Sequence, residues 1–277
     1  MTTIDATLRR AVEVSGPDLI LTLDPLFQGL PDTAHGGSVL AVFDALAGAP
    51  GAREVSGVYR RRVPLGAPLT ISRARADSSE TFVLADGTGV LVDGRVSPAS
   101  AAPRRPSASD ADGAQPLPIS RACFACGTDN ALGLRAELGF DADSVRATWR
   151  PYDAFRRADG SLAPVALTAL LDEAAFWLGA LTTGESGMTT ELRVTLHGSA
   201  PFGPPVVVRG ARAAVRARAG DQRYWDTDVE ARVEGAVVAT ARITFVAVRG
   251  AARRLVSGML AINDLARVQR VFPAYTR

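Results

Sequence analysis

The sequence predicts an α+β protein made of two similar halves, each a long buried helix with an antiparallel sheet wrapped around it. Three observations lead there. Two blocks of the 277-residue chain repeat in the same order. Each copy holds one segment that is apolar on nearly every side at helical spacing, so it must be buried. Strand-like alternation follows each such segment, with DG and EG turns between several of the strands.

The repeat can be read residue by residue. Phe27 and AHGGSVLAVFDALAG (34–48) align without gaps with Phe155 and LAPVALTALLDEAAFWLGA (162–180) at an offset of 128. In that register His35 meets Ala163, Leu40 meets Thr168, and Asp44 meets Asp172. VPLGAPLTISRARA (63–76) then matches APFGPPVVVRGARA (200–213) at an offset of 137. The nine extra residues fall in TTGESGMTT, just after the second apolar segment. Two copies make a tandem pair, because a solenoid needs more.

The elements follow in order. LILTL (19–23) is a strand, and Val39, Leu40, Val42, Phe43 and Leu46 mark a helix that Gly48 ends. EVSGVYRRR, PLTISRARA, TFVLADG and VLVDGRV are strands and complete a first half at 1–97. Residues 98–120, PASAAPRRPSASDADGAQPLPIS, lack apolar periodicity and read as a linker. The second half, 121–249, repeats the plan. SVRATW (144–149) is its first strand, and Leu167, Leu170, Leu171, Ala174 and Leu178 mark its helix, with Gly179 near the end. ELRVTLH, PVVVRGARA, YWDTDVEARV and AVVATARITFVAV are its later strands. In the tail, 250–277, the spacing of Leu255, Met259, Ile262 and Leu265 predicts a helix. Its apolar face would pack on the sheet, on another chain or over a ligand tunnel.

Composition removes whole classes of function. All 31 basic residues are arginine, so P-loop and lysine Schiff-base chemistry are excluded. The 29 acidic residues nearly balance them, which gives no reason to expect nucleic acid or an anionic membrane as partner. No run suggests a membrane span, and MTTIDATLRRAVEVSG lacks the apolar core of a secretory signal. Two cysteines make no disulfide framework, and a cytoplasmic protein is expected. Cys123 and Cys126 form a lone CxxC with no histidine near them in the chain, and only His35 and His197 exist. The pair is read as structural, and no metal is expected.

Three stretches carry a family resemblance. FQGLPDTAHGGSVLAVFDALAG (27–48) holds a helix start of the form F-x-G-x-P-x-x-x-H-G-G. CFACGTDNALGLR (123–135) has the form C-x-x-C-G-x-x-N-x-x-G-L, and ALLDEAAFWLGA is followed by TTELRVTLHGSAPFGPPVVVRG. Together they resemble the hotdog-fold acyl-CoA thioesterase superfamily, in the branch that includes phenylacetyl-CoA thioesterase. The likeness covers most of 18–97 and 121–248. It implies a double hotdog, with two antiparallel sheets joined into one around two central helices. It also implies an acyl-CoA substrate whose coenzyme A moiety is its only cofactor-like part, association into homo-oligomers, and sites shared between the two copies.

The residues support such a site. Gly36 and Gly37 open a helix, where N–H groups are free and the dipole is positive. A thioester carbonyl against the Gly37 amide would be polarised as in an oxyanion hole. Asp44 lies roughly 10 Å further along the same helix, so the acid must come from the other copy. That makes Asp172 the expected base or nucleophile, with Glu173 beside it but turned away by about 100°. His35 is expected to position the loop or touch the thioester, and Gln28 to bond water or substrate. Arg62 and Arg60 are candidates for the coenzyme A phosphates, since alternation splits Arg60, Arg61 and Arg62 between strand faces and at most two can meet one ligand. The mirror site joins Asp44 to Ala163-Pro164-Val165, where Pro164 has no N–H, so one working site per chain is expected. The rival reading is a hotdog that binds acyl-CoA without cleaving it, or is purely structural, with bulky Phe176 and Trp177 beside the acid. A hydratase lacks support, because Leu30 stands five residues before His35 where an acid is wanted.

Overall fold

The computed structural model describes residues 3–15, 18–100 and 113–277. The first half opens with a short helix, α1 (Ile4–Arg10), capped by the Thr3 hydroxyl. No helix was expected there; its anchors are Ile4 and Leu8, both buried. Strands β1 (Val12–Ser15) and β2 (Asp18–Leu21) come next, then α2 (Gly36–Ala47). Four strands follow: β3 (Arg53–Tyr59), β4 (Leu69–Ala76), β5 (Ser79–Asp86) and β6 (Gly89–Pro98).

The second half repeats that order. β7 (Gln115–Pro116), β8 (Leu138–Phe140) and β9 (Ser144–Trp149) lead into helix α3 (Pro164–Thr183). β10 (Gly187–Leu196), β11 (Val206–Ala211), β12 (Arg216–Arg218), β13 (Asp221–Val233) and β14 (Ala236–Ala247) complete the sheet. Two short helices, α4 (Ala252–Met259) and α5 (Leu265–Gln269), end the chain.

All these strands belong to one sheet, in the order β1-β2-β4-β5-β6-β3-β10-β14-β13-β11-β9-β8-β7, with β12 beside β13. The halves meet where β3 pairs antiparallel with β10, from Val58 opposite Glu191 to Arg53 opposite Leu196. These are corresponding strands, the first after each helix, so the join has the two-fold character of a fused dimer. α2 and α3 lie against each other at the centre. Gly37 to Asp44 are buried without a break on α2, and Val165 to Ala175 on α3. Neither helix keeps a solvated face there, which explains why their sequences show so little polar periodicity.

Several expectations need correction. Gly179 does not end α3. It lies inside the helix, where a Cβ would come within 2.5 Å of the Phe245 ring, and the helix stops at Gly184 with φ +68°. Strand β3 ends at Tyr59, so Arg60, Arg61 and Arg62 follow the strand instead of alternating along it. The tail is two short helices with a break, not one. Of the expected linker 98–120, residues 101–112 lie outside the described residues. The end of that stretch is built into the second half, with β7 paired to β8 and Leu117 buried. α3 is long and apolar enough by length and composition to cross a membrane, contrary to expectation, but 83% of that window is buried inside the protein.

Candidate active site

The start of α2 meets the middle of α3. A Cβ on Gly37 would lie 2.4 Å from the Thr168 carbonyl oxygen, so glycine here lets two helix backbones touch. Thr168 Oγ1 donates to the Gly37 carbonyl at 2.7 Å. This contact brings the Asp172 carboxylate of the second copy to the helix start of the first. The Gly37 amide donates to Asp172 Oδ2 at 3.0 Å, and Thr189 Oγ1 donates to Asp172 Oδ1 at 2.7 Å. Asp172 is 5% exposed and lines a cavity of about 560 Å³.

His35 caps α2 and stands between two acids. Its Nδ1 lies 3.3 Å from Asp172 Oδ2, and its Nε2 lies 3.6 Å from Glu173 Oε2. The turn of about 100° between successive helical residues was expected to aim Glu173 elsewhere. Instead it carries Glu173 to the other side of the same imidazole. Trp177 Nε1 holds Glu173 Oε1 at 2.9 Å. Burial alone would lower the His35 pKa, but Glu173 and the Asp172 charge outweigh it and push it up to about 9. Burial would raise the Glu173 pKa, yet His35 and its other hydrogen bonds hold it below the usual value. Tyr59 donates to the Gly36 carbonyl at 2.6 Å, and burial beside Asp172 keeps this phenol protonated.

The other residues singled out in the sequence divide. His35, Gly36, Asp172 and Glu173 all line the cavity. Gly37 is packed behind it, with its amide already engaged by Asp172. Among the described residues, the Gly36 amide has no protein acceptor. The free donor of this helix start is therefore one residue earlier than the sequence reading placed it. Gln28 does not reach the cavity; its Oε1 accepts from the Asp32 amide within its own loop. Arg60 lines the cavity rim but is paired with Asp93. Arg62, also on the rim, bonds Met188 Sδ at 3.3 Å and, among the described residues, is paired with no carboxylate.

The mirror arrangement is different. Asp44 is buried and gripped by the buried Arg53, whose Nη2 donates to Oδ2 at 2.7 Å and whose Nε also bonds the carboxylate. Its charge is neutralised inside the protein.

Sequence reasoning missed Thr189, Tyr59 and the role of Trp177. One signal was visible. Thr189 belongs to TTGESGMTT, the stretch present only in the second copy. It also could not see that Cys123 and Cys126 line the same cavity as His35.

Comparison with solved structures agrees with this architecture. The chain is similar to a candidate thioesterase II from Thermobifida fusca YX, with 19% identity and a TM-score of 0.63 over 90% of this chain and 100% of that one. A candidate thioesterase from Novosphingobium aromaticivorans matches at 17% identity and a TM-score of 0.61, over 86% and 98% of the two chains. A hotdog-fold protein from Alicyclobacillus acidocaldarius matches at 14% and 0.59, over 88% and 97%. No protein-family model and no curated protein matches the chain. The fold is the hotdog fold. It is the double form, in which one polypeptide supplies both copies.

Proposed function

We propose that this double hotdog hydrolyses acyl-CoA thioesters at one site per chain, between the front of α2 and the middle of α3. The observation that carries the reading is Asp172. It is a buried carboxylate facing a cavity, held by a hydroxyl and an amide, while its counterpart Asp44 is neutralised by arginine. In this reading the thioester carbonyl accepts from the free Gly36 amide, where the helix dipole favours a developing oxyanion. Asp172 takes a proton from water as the oxygen attacks the carbonyl carbon. The carbon–sulfur bond then breaks, and the coenzyme A thiolate leaves and is protonated. His35 acts as a positioning residue for Asp172. Arg62 meets a phosphate of coenzyme A at the rim. Association into homo-oligomers belongs to the same proposal, which includes no redox cofactor.

A panel of short, aromatic and long acyl-CoAs tests it by release of free thiol. Asp172→Asn is expected to lose about 10²–10⁴ in kcat while its circular dichroism and melting stay close to the parent. A specific contact favours the rival: the Gly37 amide is already satisfied by Asp172, which suits a site that only binds. Saturable acyl-CoA binding with no thiol released from any panel member would establish that rival.

A further inference from the structure

Folding places three metal-binding atoms from distant parts of the chain at one point. Cys123 Sγ, an imidazole nitrogen of His35 and a carboxylate oxygen of Glu173 all lie within 4.8 Å of one another. Two edges of this triangle are informative. Glu173 Oε2 is 3.6 Å from His35 Nε2 and 3.7 Å from Cys123 Sγ. The nitrogen–oxygen separation exceeds the ~2.7–3.2 Å of a formed N–H···O hydrogen bond. With Zn–S near 2.3 Å and Zn–N or Zn–O near 2.1 Å, a tetrahedron has ligand–ligand edges of about 3.4–3.6 Å. The nitrogen–oxygen edge matches a first coordination sphere better than a formed hydrogen bond, and the sulfur–oxygen edge, at the length of an S–H···O hydrogen bond, is also close to the coordination edge.

Each of the three groups is also aimed by a partner of its own. The Ala125 amide lies 3.3 Å from Cys123 Sγ, and the Gly127 amide closes the turn on the Cys123 carbonyl at 2.8 Å. A Cβ on Gly127 would sit 2.2 Å from that carbonyl oxygen, so this tight Cys-x-x-Cys-Gly turn needs its glycine. The Gly37 amide donates to His35 Nδ1, which Asp172 also faces, and this leaves Nε2 for the cluster. Trp177 takes Glu173 Oε1, which leaves Oε2. Carboxylate behind histidine and donors behind the remaining ligands are what metal sites use to fix ligand orientation. Cys123, His35 and Glu173 are 4%, 4% and 7% exposed, and all line the cavity.

We propose that Cys123, His35 and Glu173 bind one divalent transition-metal ion of the zinc class, with its fourth position opening onto the cavity. The mixed sulfur, nitrogen and oxygen set suits such an ion and does not suit calcium or magnesium. On binding, the Cys123 thiol and the protonated His35 imidazole each release a proton to solvent, and His35 coordinates through Nε2 with Nδ1 turned to Asp172 and the Gly37 amide. The thiolate and the Glu173 carboxylate then balance the two charges of the ion. The site does not rest on the thioesterase reading, because occupancy is measured without substrate.

The test uses the full chain, untagged and kept reduced, stripped with a chelator and then titrated with Zn²⁺ or Co²⁺. About one ion per chain is expected to survive desalting, and Co²⁺ is expected to give a thiolate-to-metal charge-transfer band. Cys123→Ser and Glu173→Gln are expected to weaken Zn²⁺ binding by more than a hundredfold. Trp177→Phe, which keeps the ring and removes the donor, is expected to weaken it by about 10–100-fold. Melting curves show which variants are folded, and Trp177→Phe keeps the test decisive if the ligand variants are not. The proposal is overturned if the parent retains no ion, if Co²⁺ shows no thiolate band, or if folded Cys123→Ser binds Zn²⁺ as tightly as the parent.

Discussion

Arg53 and Asp44 form a buried, two-pronged ion pair at the place in the first copy that corresponds to Asp172 in the second. Arg53 opens β3, as Thr189 lies near the start of β10. The duplicated acids have therefore kept their positions and exchanged their partners. One is gripped by a guanidinium, and the other is held by a hydroxyl, a backbone amide and the His35 imidazole.

Separating the Arg53 pair is expected to cost stability and leave chemistry intact. Asp44→Ala strands a buried guanidinium and should destabilise the fold by about 3–5 kcal/mol. Arg53→Leu with Asp44→Leu, which removes both charges, should cost much less. Urea unfolding measures the first effect, and thiol release per folded molecule should be unchanged in the double variant. A large loss of kcat in that variant would show that the first-copy acid takes part after all.

Thr189 should matter through orientation. Thr189→Val removes one hydrogen bond to Asp172, worth roughly 0.5–1.5 kcal/mol, so kcat should fall by about 2–13-fold with KM little changed. Thr189→Ser keeps the hydroxyl and should restore most of the rate. Steady-state kinetics on one good acyl-CoA decides between them.

The two glycines should fail in different ways. A Cβ on Gly37 runs into the backbone of α3, so Gly37→Ala should destabilise by about 1–3 kcal/mol. A Cβ on Gly36 meets only the end of the Asp172 side chain, at 2.8 Å. That carboxylate can turn aside, so Gly36→Ala should melt near the parent yet lose about a hundredfold in kcat by misplacing it. Equal losses of stability in the two variants would contradict this division.

The tail should set acyl length. Leu255 and Met259 of α4 line the cavity and are nearly buried. Replacing both by alanine opens room at the end of the chamber. The kcat/KM ratio of a longer over a shorter acyl-CoA should rise by about 10-fold, within the range that one or two methylenes decide in an apolar pocket. No change in that ratio across the panel would place the acyl chain elsewhere.

Much of the fold was legible before the structure. Periodicity of 3.6 is loud in segments as apolar as 39–46 and 167–178, and α2 and β9 fall on the residues expected of them. The boundaries that went astray have a common cause. Gly179 looks like a helix stop in one dimension, but its missing side chain serves the Phe245 ring. The short helix α1 hides because seven residues carry too little periodicity to register, and only Ile4 and Leu8 reveal it once buried. The site was legible in part. His35, Gly36, Asp172 and Glu173 converge on one cavity, whereas Gln28 folds back onto its own loop.

By itself the sequence determined the duplication, the two central helices, and the unequal helix starts, HGG in one copy and APV in the other. These are properties of order and residue type along the chain. Tertiary structure alone decided the partners: that Arg53 silences Asp44, that Thr189 holds Asp172, and that Cys123 comes to rest beside His35 and Glu173. The reason is separation along the chain. His35 and Cys123 stand eighty-eight positions apart, and Cys123 and Glu173 fifty. No local pattern encodes which distant side chains share a few ångströms of buried space once two helices and a sheet close around them.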